Sequence, residues 1–275
     1  MNVSPPPAVL SFAASDPTGG AGLQADILTI AAQGCHPLSV VTAITVQDTS
    51  GVEAVLGLDG EWVRDQARAV LEDMPVAAFK LGMLGSIEAV VAIAEVLADY
   101  PNVPRVLDPV LASGRGDQLA DDEIIAAMFA LLLPQTTLIT PNSLEARRLA
   151  VDEGKPLDEP DLAECARRLL DAGCEQVLIT GTHEPGEEVE NVLYGTHGVL
   201  RRDRWPRLPG RYHGSGCTLA SCIAARLALG EPLSEAVLQA QRYTWQALAA
   251  GFRPGMGQFL PARARHGAPC AARAA

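Results

Sequence analysis

Residues 213–218, His-Gly-Ser-Gly-Cys-Thr, combine a thiol with two glycines just before a predicted helix. Irregular chain precedes them, and an Ala- and Leu-rich run over residues 218–229 is typical of a helix that ends at Gly230. A helix N-terminus presents unpaired N–H groups and a positive dipole end, and glycines let the backbone approach an anion closely. The same position lowers the pKa of a thiol, so Cys217 is a candidate base or nucleophile beside an anion hole. The alternative is an ordinary loop that leads into a core helix with a buried cysteine.

Another glycine-rich loop, Ser-Asp-Pro-Thr-Gly-Gly-Ala-Gly, covers residues 15–22 and is the first of the two along the chain, between a predicted strand and a predicted helix. It lacks the Gly-Lys-Ser/Thr of a P-loop and is not a clean G-x-G-x-x-G motif. Taken alone, it predicts either a tight strand-to-helix connection or another loop that faces a ligand.

Polar side chains follow several predicted strands directly, where the ligand site of an open parallel sheet lies. The residues that follow the strands are Gln47, Met83, Asp108, Asn142, Glu145 and Thr182, of which only Met83 is apolar. Two carboxylates, Asp108 and Glu145, are therefore expected to meet near the anion hole. Carboxylate oxygens together with bound phosphates are what Mg²⁺ prefers. Each acid by itself is more often a helix cap or a solvated loop residue, and it is their joint placement that favours a metal site.

Strands and helices alternate along the chain, which predicts an α/β fold with a mostly parallel sheet and helices on both faces. An antiparallel hairpin at residues 189–204 is expected at one edge of that sheet. We expect a flexible N-terminus at 1–7, a single domain over 8–261 and a disordered tail at 262–275. Strands are predicted at 8–14, 38–46, 77–81, 105–107, 137–140 and 176–180, and helices at 23–33, 59–73, 87–97, 121–133, 143–149, 161–172, 218–229 and 234–249.

Length and charge restrict the function further. The chain has 275 residues and a formal net charge of −12, which argues against a nucleic-acid or membrane-surface partner. Its six cysteines contain no C-x-x-C pair, so neither a zinc framework nor a disulfide scaffold is expected. No signal peptide and no transmembrane helix are predicted, and we expect a cytoplasmic protein.

Six motifs, in this order along the chain, resemble the hydroxymethylpyrimidine/phosphomethylpyrimidine kinases of thiamine biosynthesis, which belong to the ribokinase-like superfamily. They are Ala-Ser-Asp-Pro-Thr-Gly-Gly-Ala-Gly-Leu-Gln-Ala-Asp (14–26), Thr-Val-Gln-Asp-Thr (45–49), Lys-Leu-Gly-Met-Leu (80–84), Leu-Asp-Pro-Val (107–110), Ile-Thr-Pro-Asn-Ser-Leu-Glu-Ala (139–146) and His-Gly-Ser-Gly-Cys-Thr-Leu (213–219). The resemblance covers about residues 8–250. The first motif and Cys217 distinguish this branch from the sugar kinases, which have Asp at that position.

The resemblance implies a three-layer α/β/α kinase fold and phosphorylation of 4-amino-5-hydroxymethyl-2-methylpyrimidine, then of its monophosphate, with ATP and Mg²⁺. A homodimer is also expected. The implied pyrimidine contacts are Ala21, Asp26, Gln47, Met83 and Val110, and the implied nucleotide contacts are Asn142, Thr180 and Thr182. The metal and phosphate positions are Asp108 and Glu145, the base is Cys217, and the anion hole comprises the amides of Gly214, Ser215, Gly216 and Cys217. Positioning and charge neutralisation are what phosphoryl transfer mainly requires.

Three departures from the family pattern concern the second phosphorylation most, because its acceptor is already anionic. Lys-Gly-Gly-His is usual where residues 180–183 read Thr-Gly-Thr-His, so Thr180 replaces a phosphate-facing lysine. Gln-Asn is usual where Gln47 is followed by Asp48. After Val110 the family has Met and soon Lys, whereas this chain has Arg115, a candidate replacement cation.

Three other functions remain open at this stage. One is a kinase of the same fold that acts on pyridoxal or pyridoxine. Another is a Cys-nucleophile transferase or hydrolase, although no nucleophile-elbow motif is present. The third is a pyrimidine-binding protein that lost activity with its lysine.

Overall fold

The computed structural model describes residues 4–112, 116, 119–150 and 161–263. Its strands are β1 (Ala8–Ser15), β2 (His36–Gln47), β3 (Val52–Gly57), β4 (Val76–Leu81), β5 (Arg105–Leu107), β6 (Leu138–Ile139), β7 (Gln176–Thr180), β8 (Glu188–Gly195) and β9 (Gly198–Pro206). The helices are α1 (Gly22–Ala32), α2 (Gly60–Asp73), α3 (Ile87–Ala98), α4 (Asp122–Ala127), α5 (Ser143–Leu149), α6 (Leu162–Asp171), α7 (Ser215–Ala228) and α8 (Leu233–Ala249). A π-helical turn (Met128–Leu132) and a 3₁₀ turn (Leu133–Gln135) continue α4.

All nine strands form one sheet in the order β3-β2-β1-β4-β5-β6-β7-β8-β9. Six neighbouring strands, β2, β1, β4, β5, β6 and β7, are parallel, which confirms the predicted α/β class. The prediction of one antiparallel edge was incomplete. β8 and β9 form the expected hairpin, but β3, which the sequence analysis missed, pairs antiparallel with β2 at the opposite edge.

Side-chain alternation along the strands builds a separate core on each face of the sheet. In β1, Val9 belongs to the core under α1, α7 and α8, whereas Leu10 and Phe12 belong to the core under α2 to α6. The three-layer arrangement follows, with helices α1, α7 and α8 on one face and the other five on the opposite face. Within the described residues, no helix is long and apolar enough to span a bilayer.

Side-chain caps begin several of these helices. Ser86 accepts from the amide of Ala89, and Asp121 accepts from that of Ile124. Asn142 caps α5, whose first helical residue is Ser143. The amide of Asn142 donates to the Glu145 carboxylate, which completes a capping box.

Residues 262 and 263, which the sequence analysis assigned to the tail, belong to the described structure. Ala262 donates its N–H to the carbonyl of Ala247 at 2.9 Å, and Arg263 is only 4% exposed. Both residues therefore pack against the domain, while residues 264–275 lie outside the described part of the chain.

Candidate active site

The two glycine loops contact each other beyond the carboxyl ends of the strands. Gly214 caps α7 with φ 77°, a conformation that favours glycine. A Cβ atom added there would lie 1.8 Å from the carbonyl oxygen of Gly20, so a side chain has no room. The first amides of α7, from Ser215 to Cys217, have no partner within the helix, as the predicted anion hole requires.

Asp16 organises the first glycine loop. Its carboxylate accepts from the amide of Thr18 at 2.8 Å, the amide of Ala21 at 2.7 Å and the imidazole of His213 at 2.8 Å. Burial alone would raise the pKa of Asp16, but the hydrogen bonds from His213 and Thr18 outweigh it and lower the pKa to about 2. An ionised Asp16 therefore connects the 15–22 loop to the start of the 213–218 loop.

A buried charge cluster lies beneath the second loop. The Nζ atom of Lys80 is 3.0 Å from Asp26 Oδ2 and 4.0 Å from Asp108 Oδ2, and Lys80 has no exposed surface. Burial would lower the pKa of Lys80, but the negative charges of Asp26 and Asp108 raise it above its ordinary value. Lys80 is thus a fixed cation inside the site.

Asp26, implied as a pyrimidine contact, is also fully buried. The hydroxyls of Ser11 and Ser221 donate to its two oxygens at 2.5 and 2.6 Å, beside the Lys80 contact. Every one of these partners belongs to the chain itself. The contact between Asp26 and pyrimidine stays a prediction, and the observed role is to fix Lys80.

The expectation that the pKa of Cys217 is lowered was wrong. Burial, only partly offset by the charge of Lys80, raises the pKa of the thiol to about 12. Its side chain lies at the third position of α7 and is 8% exposed. At neutral pH the Cys217 side chain is therefore a thiol, because desolvation raises its pKa by more than the helix N-terminus and Lys80 lower it.

Asp108 and Glu145 are near enough for the charge of Asp108 to act on Glu145. Burial raises the pKa of Asp108 to about 6, against the opposing effect of Lys80. Burial and then the charge of Asp108 raise the pKa of Glu145 to about 8. The charge of Asp108 thus acts on Glu145, as expected of neighbouring carboxylates, whereas their binding of a cation stays a prediction.

The donor set fits Mg²⁺. The Oδ2 atom of Asp108 is buried and accepts no hydrogen bond. A Cβ atom added at Gly216 would lie 3.4 Å from Asp108 Oδ1, so the carboxylate lies against Gly216 in the first turn of α7. Among the described residues no cluster of three or more His, Cys, Asp or Glu side chains could hold a metal alone. Phosphate oxygens and water would complete such a site, as Mg²⁺ usually requires.

The implied pyrimidine positions fall into two neighbourhoods. Met83 and Val110 pack together with Ala14 and Ala43 in a small apolar cluster. Gln47 ends β2 and lines an open cleft of about 490 Å³ with residues 17–18, 48–50 and 254–256. Ala21 caps α1 next to the contact between the glycine loops. Their contact with a pyrimidine stays a prediction.

The implied nucleotide positions lie at the ends of β6 and β7. Asn142 and Thr180 form a parallel bridge, and the amide of Thr180 donates to the carbonyl of Pro141 at 2.9 Å. Arg207 donates to the carbonyl oxygens of Thr182 at 2.7 Å and of Gly186 at 2.8 Å, which holds the loop after β7. Arg115, the candidate replacement cation, lies outside the described residues.

Comparison with known proteins agrees with this geometry. A family model described as phosphomethylpyrimidine kinase matches residues 16–262. A hydroxymethylpyrimidine/phosphomethylpyrimidine kinase from Streptomyces coelicolor is 42% identical over 256 residues, which cover 92% of each chain. The chain belongs to the phosphomethylpyrimidine kinase family. It is therefore a phosphotransferase, and ATP is the phosphoryl donor that a kinase of this family uses.

Solved structures of similar proteins support the ribokinase-like fold. The crystal structure of a phosphomethylpyrimidine kinase from Clostridium difficile has a TM-score of 0.74 and 36% identity, and covers 88% of this chain and 99% of that chain. An ADP complex of a Bacillus subtilis pyridoxal kinase has a TM-score of 0.84 and 27% identity, covering 93% and 97%.

Four residues of the site escaped the sequence analysis as functional groups, namely Asp16, Lys80, His213 and Arg263. Lys80 left a detectable pattern, because a single cation interrupts the otherwise apolar strand Val76–Leu81. Asp16 and His213 were visible only as parts of the two glycine-rich loops, and their contact spans 197 positions of the sequence. Arg263 carried no local pattern at all.

Proposed function

We propose that this kinase transfers the γ-phosphoryl group of ATP to the hydroxymethyl group of 4-amino-5-hydroxymethyl-2-methylpyrimidine, and then phosphorylates the monophosphate. The observation that carries the proposal is the placement of Asp108 against Gly216. It sets a buried carboxylate, one oxygen of which accepts no hydrogen bond, against the first turn of α7. A phosphoryl group at that point meets backbone N–H donors on one side and a metal-binding carboxylate on the other.

In this proposal Asp108 and Glu145 hold Mg²⁺, which supplies charge neutralisation for the phosphates when it is bound. The amides of residues 214–217 stabilise the transferring group. Gln47 offers both a donor and an acceptor to the aminopyrimidine edge, while Met83 and Val110 contact its apolar face. Asn142, Thr180 and Thr182 lie along the nucleotide.

The hydroxyl proton has a candidate acceptor in Cys217. Its raised pKa makes the thiolate scarce at neutral pH, with Lys80 as the counter-charge when it forms. A loose transition state needs little help from a base before the phosphoryl group has moved. We therefore assign the larger share of the rate to the amides and the smaller share to Cys217.

A substrate panel tests this function. The purified chain is incubated with Mg·ATP and, separately, hydroxymethylpyrimidine, its monophosphate and pyridoxal, while ADP formation and phosphorylated products are followed. We expect ADP in proportion to the mono- and diphosphate of the pyrimidine. ATP turnover that does not depend on the pyrimidine, or no turnover with it, would refute the proposal.

The second phosphorylation has its own test, because Thr180 replaces the family lysine. Thr180→Lys places a cation beside the developing phosphate charge and should raise the rate with the monophosphate more than with the alcohol. Equal rates in both proteins with both acceptors would show that no side-chain cation is needed at this position.

Pyridoxal phosphorylation is the second candidate. The Bacillus subtilis pyridoxal kinase overlaps this fold with the higher TM-score, at lower identity than the pyrimidine kinase from Clostridium difficile. In the substrate panel, a kcat/KM for pyridoxal above that for hydroxymethylpyrimidine would make pyridoxal the preferred substrate.

We also propose that the chain forms a homodimer in the cytoplasm. Ile44 and Leu56 pair across β2 and β3, are 50% and 65% exposed, and lie beside Val46, which is 57% exposed. Such an apolar face at a sheet edge suits a second copy of the chain. Val46→Glu combined with Leu56→Glu should yield monomers in sedimentation, whereas Leu28→Glu, at an exposed position of α1, should not.

The free thiols of the described cysteines support a reducing compartment.

A further inference from the structure

One guanidinium group joins the two glycine loops. The Nε atom of Arg263 donates to Thr218 Oγ1 at 2.9 Å, and Nη1 donates to the carbonyl oxygen of Gly19 at 3.2 Å. Nη2 donates to the carbonyl oxygens of Gly20 and of Gly214, the latter at 3.3 Å. Arg263 therefore contacts the first loop at two carbonyls and the second at a carbonyl and a hydroxyl.

The backbone that carries Arg263 is itself fixed. Tyr243 in α8 donates its hydroxyl to the carbonyl of Arg263 at 2.6 Å, and the preceding amide of Ala262 donates to the carbonyl of Ala247 at 2.9 Å. Thr218 passes the connection on, since its hydroxyl donates to the carbonyl of Gly214 at 2.7 Å. The guanidinium thus holds the loops from a rigid support on α8.

The chemistry of this contact depends on arginine. Four acceptors on two different loops surround one planar group, and only the fixed fork of a guanidinium reaches them together. A lysine ammonium carries the same charge but has three donors at a single point. Burial lowers the pKa of Arg263, although the nearby charge of Asp26 opposes that effect.

The position is also unusual for a structural cation. Arg263 lies at the N-terminal end of α7, where the helix dipole is already positive and a cation is disfavoured. The carbonyl oxygens compensate for part of that cost. The result is additional positive potential behind the amides of residues 214–217, which is where an anion would be bound.

We propose that Arg263 is a positioning residue for phosphoryl transfer. It holds the amides that open α7 in register with the 19–21 loop and adds positive potential to the anion hole. This inference rests on the proposed role of residues 214–217 as that anion hole.

The test compares Arg263→Lys and Arg263→Ala with a matched control, Arg105→Lys. Arg105 is 7% exposed and donates to the carbonyls of Leu97, Tyr100 and Gln135. It begins β5 and therefore lies at the amino-terminal ends of the strands, opposite the site. Each variant is assayed for Tm, kcat and KM. We expect all three to lose Tm, whereas only the Arg263 variants lose kcat, by about a hundredfold, with KM for the pyrimidine nearly unchanged.

Two further readouts separate this inference from the proposed substrate. Binding of Mg·ADP with aluminium fluoride mimics the transferring group without any acceptor, and should weaken at least about tenfold in Arg263→Lys while binding of Mg·ADP alone is retained. Added guanidinium at low concentration should restore part of kcat in Arg263→Ala but not in Arg263→Lys.

The outcomes are distinct. A wild-type chain that ignores the pyrimidine refutes the proposed substrate, and the aluminium fluoride complex still tests Arg263. Unchanged affinity for that complex in Arg263→Lys, or a loss of kcat in Arg105→Lys as large as in Arg263→Lys, overturns the positioning role.

Discussion

Replacing Glu145 with Gln tests whether two like charges face each other at the metal position. In the folded protein, burial and the charge of Asp108 raise the pKa of Glu145 from its ordinary 4.5 to about 8. A carboxyl group with a raised pKa stabilises the fold below its ordinary pKa, and this contribution is lost as the pH rises through the folded pKa. Wild-type stability should therefore fall between about pH 5 and pH 9 in metal-free buffer, and Glu145→Gln should remove much of that fall.

The structure sets the size of the effect. A pKa raised from 4.5 to about 8 corresponds to a ceiling of roughly 5 kcal/mol. Glu145 retains some contact with solvent, so screening reduces the figure, and we expect about 1–2 kcal/mol. Gln can accept from only one of the two backbone amides that the carboxylate accepts, those of Asn142 and Leu111, which costs about 0.5–1.5 kcal/mol at every pH. The informative quantity is therefore the change in the difference between the two proteins from pH 5 to pH 9.

Differential scanning calorimetry with a chelator at the two pH values measures that quantity. The Tm of Glu145→Gln relative to wild type should rise by roughly 2–8 °C between about pH 5 and pH 9. Glu95→Gln, which removes an exposed carboxylate from α3, is the control for a simple change in net charge. Adding Mg·ADP at about pH 9 should stabilise wild type more than the variant. A difference between the two proteins that is independent of pH would refute the opposition of Asp108 and Glu145.

Four further predictions concern single residues of the site. Cys217→Ala should lower kcat by up to about a hundredfold with little change in pyrimidine affinity, and the remaining rate should no longer rise with pH, because the thiol deprotonates only as the pH increases. Gln47→Leu should raise the dissociation constant of the pyrimidine about tenfold or more, since a buried polar edge loses its partner. Lys80→Met should cost about 3–5 kcal/mol of unfolding free energy, and adding Asp26→Asn should recover part of it, because the first change leaves a buried carboxylate unpaired. Asp108→Asn should raise the Mg²⁺ concentration needed for half-maximal rate more than it changes pyrimidine binding.

Each of these has a contradicting result. Wild-type turnover in Cys217→Ala removes the thiol from the mechanism, with Tm measured beside it to detect a purely structural effect. An unchanged dissociation constant in Gln47→Leu places the pyrimidine elsewhere. Equal unfolding free energies for the single Lys80 variant and its double variant with Asp26 deny the coupling of that pair. Superimposable Mg²⁺ dependence in Asp108→Asn removes Asp108 from the metal position.

The sequence by itself determined the layered architecture and the edge of the sheet where the site lies. Local patterns were sufficient, because alternating strands and helices form a parallel sheet. The carboxyl ends of parallel strands lie at the same edge, so the residues that follow each strand lie near one another. Asp108 and Glu145 were brought together by this rule, although they are far apart in the chain. The glycine-rich run before α7 also located the helix N-terminus to within three residues, at Ser215 instead of 218, since glycine and cap positions depend on near neighbours.

What the tertiary structure decided depends on burial and on distant contacts. The edge strand β3 was missed because an exposed strand lacks the alternation that marks a half-buried one, and four of its six residues are exposed. The position of Cys217 at a helix N-terminus predicts a lowered pKa, but burial in the completed fold raises the pKa instead. Arg263 joins loops that lie 244 and 49 positions away in sequence. Such a contact has no local pattern, because the free energy of a buried charge is set by whatever the completed fold places around it.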